Sequence, residues 1–245
     1  MDAEQIKIWN VAASTPLKTV WPSDLDEKCQ SASFVDMSFS PDGTRLAAVA
    51  GGEAEDSWFV AIWNVVNLDD MKPVCLWPCH NATRTLCYIS TTSKITRCLD
   101  ATEETEAIEG LLATSPGPES RITLWKEESG QVFQELEKIG KDIDGLAFCS
   151  QSKLLAGGSD DHEVRLWSVD PDDDKNKPEE KALRTFSGHD HFVTSVSFSP
   201  DGAYLASGSR DRTVKIWNVS DGDDQLVKTL TGHVHLILAV SFSPT

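Results

Sequence analysis

Five times in this chain a short apolar run closes on tryptophan: Ile6-Lys7-Ile8-Trp9, Val60-Ala61-Ile62-Trp63, Arg121-Ile122-Thr123-Leu124-Trp125, Val164-Arg165-Leu166-Trp167 and Val214-Lys215-Ile216-Trp217. Successive tryptophans lie 54, 62, 42 and 50 residues apart. Self-similarity at such a period marks stacked supersecondary units, none of which can bury its own apolar faces. Each unit therefore needs a neighbour of its own kind on either side.

Ser187–Val219 shows what one unit contains. Val193–Phe198, Ala203–Ser207 and Thr213–Val219 carry β character. Ser199-Pro200-Asp201-Gly202 separates the first two with turn chemistry: proline pre-sets φ, aspartate bonds its own backbone and glycine supplies positive φ. Ser209-Arg210-Asp211-Arg212 separates the second pair and is short enough only for a hairpin.

Gly188-His189, the run Val-x-x-Val-x-Phe-Ser-Pro-Asp-Gly ending at Gly202, Leu205-Ala206-Ser207-Gly208-Ser209, Asp211 and Lys215-Ile216-Trp217-Asn218 together resemble the WD40 repeat. One departure is that Asn218 replaces the aspartate of the usual Trp-Asp pair. The resemblance implies an all-β, WD40-type β-propeller, with four-stranded blades set radially around a channel. It also implies a protein-binding platform rather than an enzyme. The regular back repeats further resemble those at the C-terminal ends of NACHT/STAND-type signalling ATPases, whose nucleotide-binding part has no counterpart here.

On this reading residues 1–245 form one propeller region with complete blades at about 34–78, 84–137, 143–186 and 193–230, and partial-blade strands at 6–21 and 237–242. WD40 units run about 40–45 residues, so the longer spacings require insertions. These fall at Gly51–Ser57, at Thr91–Gly110, and at the charged, proline-containing Asp170–Lys181. The glutamate-rich Thr91–Gly110 reads as a helical excursion or a loop. The front supplies a third and a fourth strand and the back supplies a first, but a second is missing. Either a five-blade ring closes on a defective blade, or the chain is a piece of a longer propeller; the missing strand favours the piece.

The formal charge of −17 opposes binding to nucleic acid or anionic membranes and favours protein partners, basic ones in particular. No apolar run reaches the roughly 18 residues of a membrane span, and no apolar leader follows Met1. The six cysteines, in no regular frame, read as reduced thiols of a cytoplasmic or nuclear protein.

The resemblance also implies a hydrogen-bonded set of His189, Ser207, Asp211 and Trp217. A buried aspartate requires a partner; a histidine can donate to it from one ring nitrogen and accept a hydroxyl proton at the other. The same Ser-His-Asp types suggest a hydrolase, but a nucleophile needs an exposed hydroxyl and an oxyanion site. Ser207, inside a strand, has neither. The third blade keeps Asp161 and Trp167, with Gly157 at the hydroxyl's place and Lys141 after Gly140. The second offers His80, Thr114, Glu119 and Trp125, and the first only Trp63. His191 with His235, and Cys75, Cys79, His80 and Cys87, are weak metal patterns without a paired Cys-x-x-Cys frame. With no phosphate-cradling glycine loop either, no cofactor is expected. The expected partner-binding face is the loop end carrying His191, Phe192, Arg210, Arg212 and His235, where rigid strand ends limit the ordering cost of binding.

Overall fold

The computed structural model describes residues 5–10, 15–21, 25, 32–52, 58–66, 73–79, 83–90, 93–99, 102–108, 110–115, 121–169, 181–220 and 225–243. Among them are twenty β-strands and no helix. β1 (Ile6–Asn10) and β2 (Thr15–Val20) form an antiparallel pair. β3 (Ser33–Phe39), β4 (Arg45–Gly51), β5 (Phe59–Asn64) and β6 (Cys75–Pro78) make the first four-stranded sheet, in chain order. β7 (Thr85–Ser90), β10 (Leu111–Ser115), β11 (Arg121–Lys126) and β12 (Val132–Lys138) make the second. The third holds β13 (Ile143–Cys149), β14 (Leu154–Ser159), β15 (Glu163–Ser168) and β16 (Arg184–Ser187). The fourth holds β17 (Val193–Phe198), β18 (Tyr204–Ser209), β19 (Val214–Asn218) and β20 (Leu226–Leu230).

Two compact units divide the chain: residues 1–112 with 125–131, and residues 113–124 with 132–245. In the first, β4 is buried on both faces, and Ala47, Ala48, Val49 and Ala50 have no exposed surface. A strand covered on both faces reads as a continuous apolar run rather than an alternating one. One face packs with Ile6, Val20 and Trp63, the other with Trp77, Leu86, Tyr88, Leu112 and Trp125. In the second unit Ala156, Leu166 and Phe186 pack with Val193, Leu205 and Trp217 across two sheets. Burial at about 25 cal/mol per Å² makes such sheet-on-sheet contact the main source of stability.

The register repeats as well. Leu46 pairs with Trp63, Leu155 with Trp167 and Leu205 with Trp217, so each tryptophan sits opposite the second residue of its sheet's second strand. Ser-Pro-Asp-Gly turns the chain identically twice: Gly43 and Gly202 both have φ of 69°, and their amides donate to Ser40 and Ser199 carbonyls at 2.9 and 2.8 Å. The serines and the aspartate of two first strands, β3 and β17, accept from the next segment alike. Leu86 and Tyr88 amides donate to Asp36 Oδ2 and Ser38 Oγ. Val240 and Phe242 amides donate to Ser195 Oγ and Ser197 Oγ.

Two expectations need correction. Residues 93–108 are neither helix nor loop: β8 (Ser93–Leu99) and β9 (Thr102–Ile108) form an antiparallel hairpin. A two-residue connection is a hairpin length, and Ile95, Thr96, Thr102, Thr105 and Ile108 are β-branched, which outweighs the helix propensity of the glutamates. Residues 237–242 form no strand. Their amides reach β17's serines as an inner strand would, but among the described residues no strand pairs with them to complete a ladder. The expectations at residues 53–57, 170–180, His80 and Glu119 lie outside the described residues.

Candidate interaction face at the end of the fourth sheet

β18 places Ser207 opposite Lys215, two residues along from the Leu205–Trp217 pair, so its hydroxyl meets the Trp217 indole. Trp217 Nε1 donates to Ser207 Oγ at 2.7 Å, and Ser207 Oγ lies 2.7 Å from His189 Nε2. His189 Nδ1 lies 2.7 Å from Asp211 Oδ2. A neutral imidazole with its hydrogen on Nδ1 satisfies every atom of this chain: it donates to the carboxylate and accepts from the hydroxyl. Burial holds the His189 pKa below its usual value despite the carboxylate beside it. Burial would raise Asp211, but donors from Thr213, His189 and the Asp190 amide outweigh it and hold its carboxyl down at about 2.

Ser207 is wholly buried, with both neighbours engaged, so nothing can reach its hydroxyl for attack. The network instead fixes the Gly188-His189 loop against the Ser209–Arg212 turn. Asp211 Oδ1 accepts from the Thr213 amide at 2.8 Å, and Ser209 Oγ donates to the His191 carbonyl at 2.9 Å.

That clamp sets the side chains beyond it. Phe192 and His191 rings meet edge-on at 4.6 Å between centroids, and the Arg210 guanidinium lies over the Phe192 ring at 5.0 Å. His191, Arg210, Arg212 and His235 are exposed, and Phe192 is half-buried. The structure thus places His191 and Arg210 each against Phe192. Arg212 holds the same turn with a φ of 71°. Ile237 binds that turn through its amide to the Ser209 carbonyl, and His235 lies two residues earlier.

His162 was not legible in the sequence. It sits in the turn of the third sheet with a φ of 75°, as Arg212 does in the fourth, and its ring lies 5.9 Å from His191 and 5.8 Å from Phe192. The signal was positional: His162 precedes Arg212 by one repeat. Arg165 was missed too. It stands at the place of Lys215, and it replaces the histidine as partner of Asp161 at 2.7 Å, holding that carboxyl below its usual range although burial opposes this. Gly157 stands at the place of Ser207, which leaves the buried Trp167 Nε1 without a bond. Ala48 does the same for Trp63 Nε1 in the first sheet. Among the described residues no three histidine, cysteine or acidic side chains are grouped to hold a metal.

Four-stranded antiparallel sheets in series, each with a buried tryptophan and three of them repeating one leucine–tryptophan register, are blades of a β-propeller. Residues 133–168 and 180–218 match the model of the family described as WD domain, G-beta repeat. A probable cytosolic iron-sulfur protein assembly protein 1 of Kluyveromyces lactis is 34% identical over 97 residues, 38% of this chain and 29% of that one. A guanine nucleotide-binding protein subunit beta of Oryza sativa is 33% identical over 97 residues, 37% of this chain and 23% of that one. The matched part thus spans under a third of either relative. A chain in the crystal structure of a mitotic checkpoint complex shares the fold, with a TM-score of 0.66 at 18% identity, over 93% of this chain and 60% of that one.

Proposed function

We propose that the chain is a non-catalytic WD40 scaffold that holds partner proteins on the loop end of its fourth sheet, through His191, Phe192, Arg210, Arg212 and His235. The observation that carries this reading is the clamp of His189, Ser207, Asp211 and Trp217, which fixes a solvent-facing Phe192–Arg210 contact on a rigid base. Arginine and aromatic side chains on a preformed surface are the usual anchors of protein interfaces. The formal charge of −17 favours partners that are basic overall and disfavours nucleic acid. The proposed setting is cytoplasm or nucleus; no helix among the described residues is long and apolar enough to cross a membrane.

Alanine replacement of His191 and Arg210 tests the reading. Loss of partner capture with an unchanged thermal transition supports it. If neither change weakens any interaction, the face is wrongly assigned. A second reading, the sensor propeller of a larger signalling ATPase, draws on the regularity of the third and fourth repeats. Nucleotide-dependent partner binding by the longer protein would favour it over a free-standing scaffold.

A further inference from the structure

We infer that the surface formed by His162, His191, Phe192, Arg210 and Arg212 takes an acidic side chain of a partner protein's extended segment; this rests on the scaffold reading and adds the chemistry of the contact. Hydrogen-bond donors gather at this end of the third and fourth sheets, while two of the carboxylates beside them are engaged internally. Asp211 is engaged by His189, Thr213 and the Asp190 amide, and Asp161 by Arg165 and the Glu163 amide. Arg210 meets Asp144 Oδ2 only at 4.0 Å, beyond hydrogen-bond reach. Arg212 is exposed, and among the described residues no carboxylate pairs with it. His191 Nδ1 accepts the Phe192 amide at 2.8 Å, so in the neutral ring Nε2 carries the hydrogen and is a donor.

Stacking on Phe192 restrains the Arg210 guanidinium and leaves the edge of its planar fork for a carboxylate, which it can hold through two parallel bonds. The rings of His162 and His191 flank Phe192 at 5.8 and 4.6 Å between centroids and brace the ring on which the guanidinium rests. Arg212 and His162 occupy left-handed backbone conformations that glycine would adopt at less cost, yet both are polar, Arg212 exposed and His162 half-buried. Asp190 on the same loop, Asp144 at 4.0 Å from Arg210, and Asp211, whose histidine partner is neutral, are the local charges that a bound acid must overcome. The strongly negative chain and this pair of arginine donors do not conflict. Screening confines the net charge to long-range steering, over about 8 Å at physiological salt, while the contact chemistry is set by the nearest groups.

The test titrates the isotope-labelled whole chain with an acetylated, amidated heptapeptide alternating glycine and glutamate, and with glutamine and lysine counterparts, followed by amide NMR. The glutamate peptide is expected to shift the amides of Phe192, Arg210 and Arg212 saturably, and the glutamine peptide to bind at least about tenfold more weakly. Arg210→Ala should weaken the glutamate peptide about tenfold with an unchanged thermal transition. Arg212→Gly gives a second variant whose fold is not at risk, since glycine suits that backbone, and it too should weaken binding. Equal binding of glutamate and glutamine peptides, no binding of either, preference for lysine, or shifts elsewhere on the chain would overturn the inference. If Arg210→Ala abolishes capture of a natural partner while the glutamate peptide does not bind, the scaffold reading stands and only the acidic contact falls.

Discussion

Glu127 takes the place in the second sheet that Val65, Val169 and Val219 take in the other three, and Arg45 Nη1 meets its Oε1 at 2.6 Å from 82 residues away. The equivalence is set by the backbone. The amides of Val65, Glu127, Val169 and Val219 donate to the carbonyls of Thr44, Gly110, Lys153 and Ala203 at 2.9, 2.7, 2.8 and 3.0 Å. The Glu127 side chain has no exposed surface, and the Tyr88 hydroxyl donates to the same Oε1. A buried carboxylate with these two donors is satisfied; with Arg45 removed it is an uncompensated charge. Arg45→Ala is therefore expected to lower stability by about 3 kcal/mol, within the range for breaking a buried pair from one side. Arg45→Met with Glu127→Val restores the residue used by the other sheets and should recover most of that loss. Urea unfolding of the two single variants and the double variant checks the coupling.

Ser207→Ala removes the oxygen that joins Trp217 to His189. Two buried polar groups lose a partner, so a loss of about 1–3 kcal/mol is expected. The third sheet already has Gly157 at this position, yet Gly157→Ser should not gain what Ser207 provides. A Cβ there would stand 2.9 Å from Trp167 Cζ3, because the indole has settled into the space. Both variants should unfold at lower urea than the parent; a stabilised Gly157→Ser would contradict the packing described.

The pH dependence follows from the same network. Asp211 is held at about 2 in the fold against 3.8 ordinarily, so its contribution is complete above about pH 4 and is lost as pH falls toward 2. The size is on the order of 2 kcal/mol. His189 is held below its usual value, so folding favours its neutral form, and that contribution begins to fall as pH drops below about 6.5. Stability should thus decline in two steps on acidification. Asp211→Asn should shrink the lower step without abolishing it, since Asp42, Asp161 and Asp201 are also held low, as read from thermal transitions between about pH 7 and pH 2.

Gly145 sits where its β-carbon would be 2.8 Å from Ser195 Cα, so β13 and β17 approach through bare backbone. Gly145→Ala must push two strands apart and is expected to destabilise by about 1–3 kcal/mol. Near-parental stability of that variant would contradict the close approach.

The strands were legible wherever tryptophan, Ser-Pro-Asp-Gly and alternation agreed, because there local propensity and packing demand the same backbone. Residues 93–108 were not, since three glutamates suggest helix while the hairpin depends on connection length and β-branching. Residues 237–242 read as a strand, but a strand exists only with its ladder partner, which a local pattern cannot supply. In the candidate face His189, Ser207, Asp211 and Trp217 could be named because their spacing repeats a known pattern. His162, Arg45 and Glu127 act across sheets, and nothing in their immediate neighbours marks them. Arg165 swaps for a histidine at a different position in the repeat; it lies only four residues from Asp161, but the family pattern directs attention to the Gly-His position instead.

Hydrogen exchange of the native chain tests most directly whether one register repeats from sheet to sheet. Slowest exchange is predicted for β4, β14 and β18, at the residues facing Trp63, Trp167 and Trp217, and faster exchange for the exposed edge strand β20. Protection in β20 equal to that in β18, or rapid exchange throughout β4, would contradict the repeated tryptophan-centred sheets on which the whole reading stands.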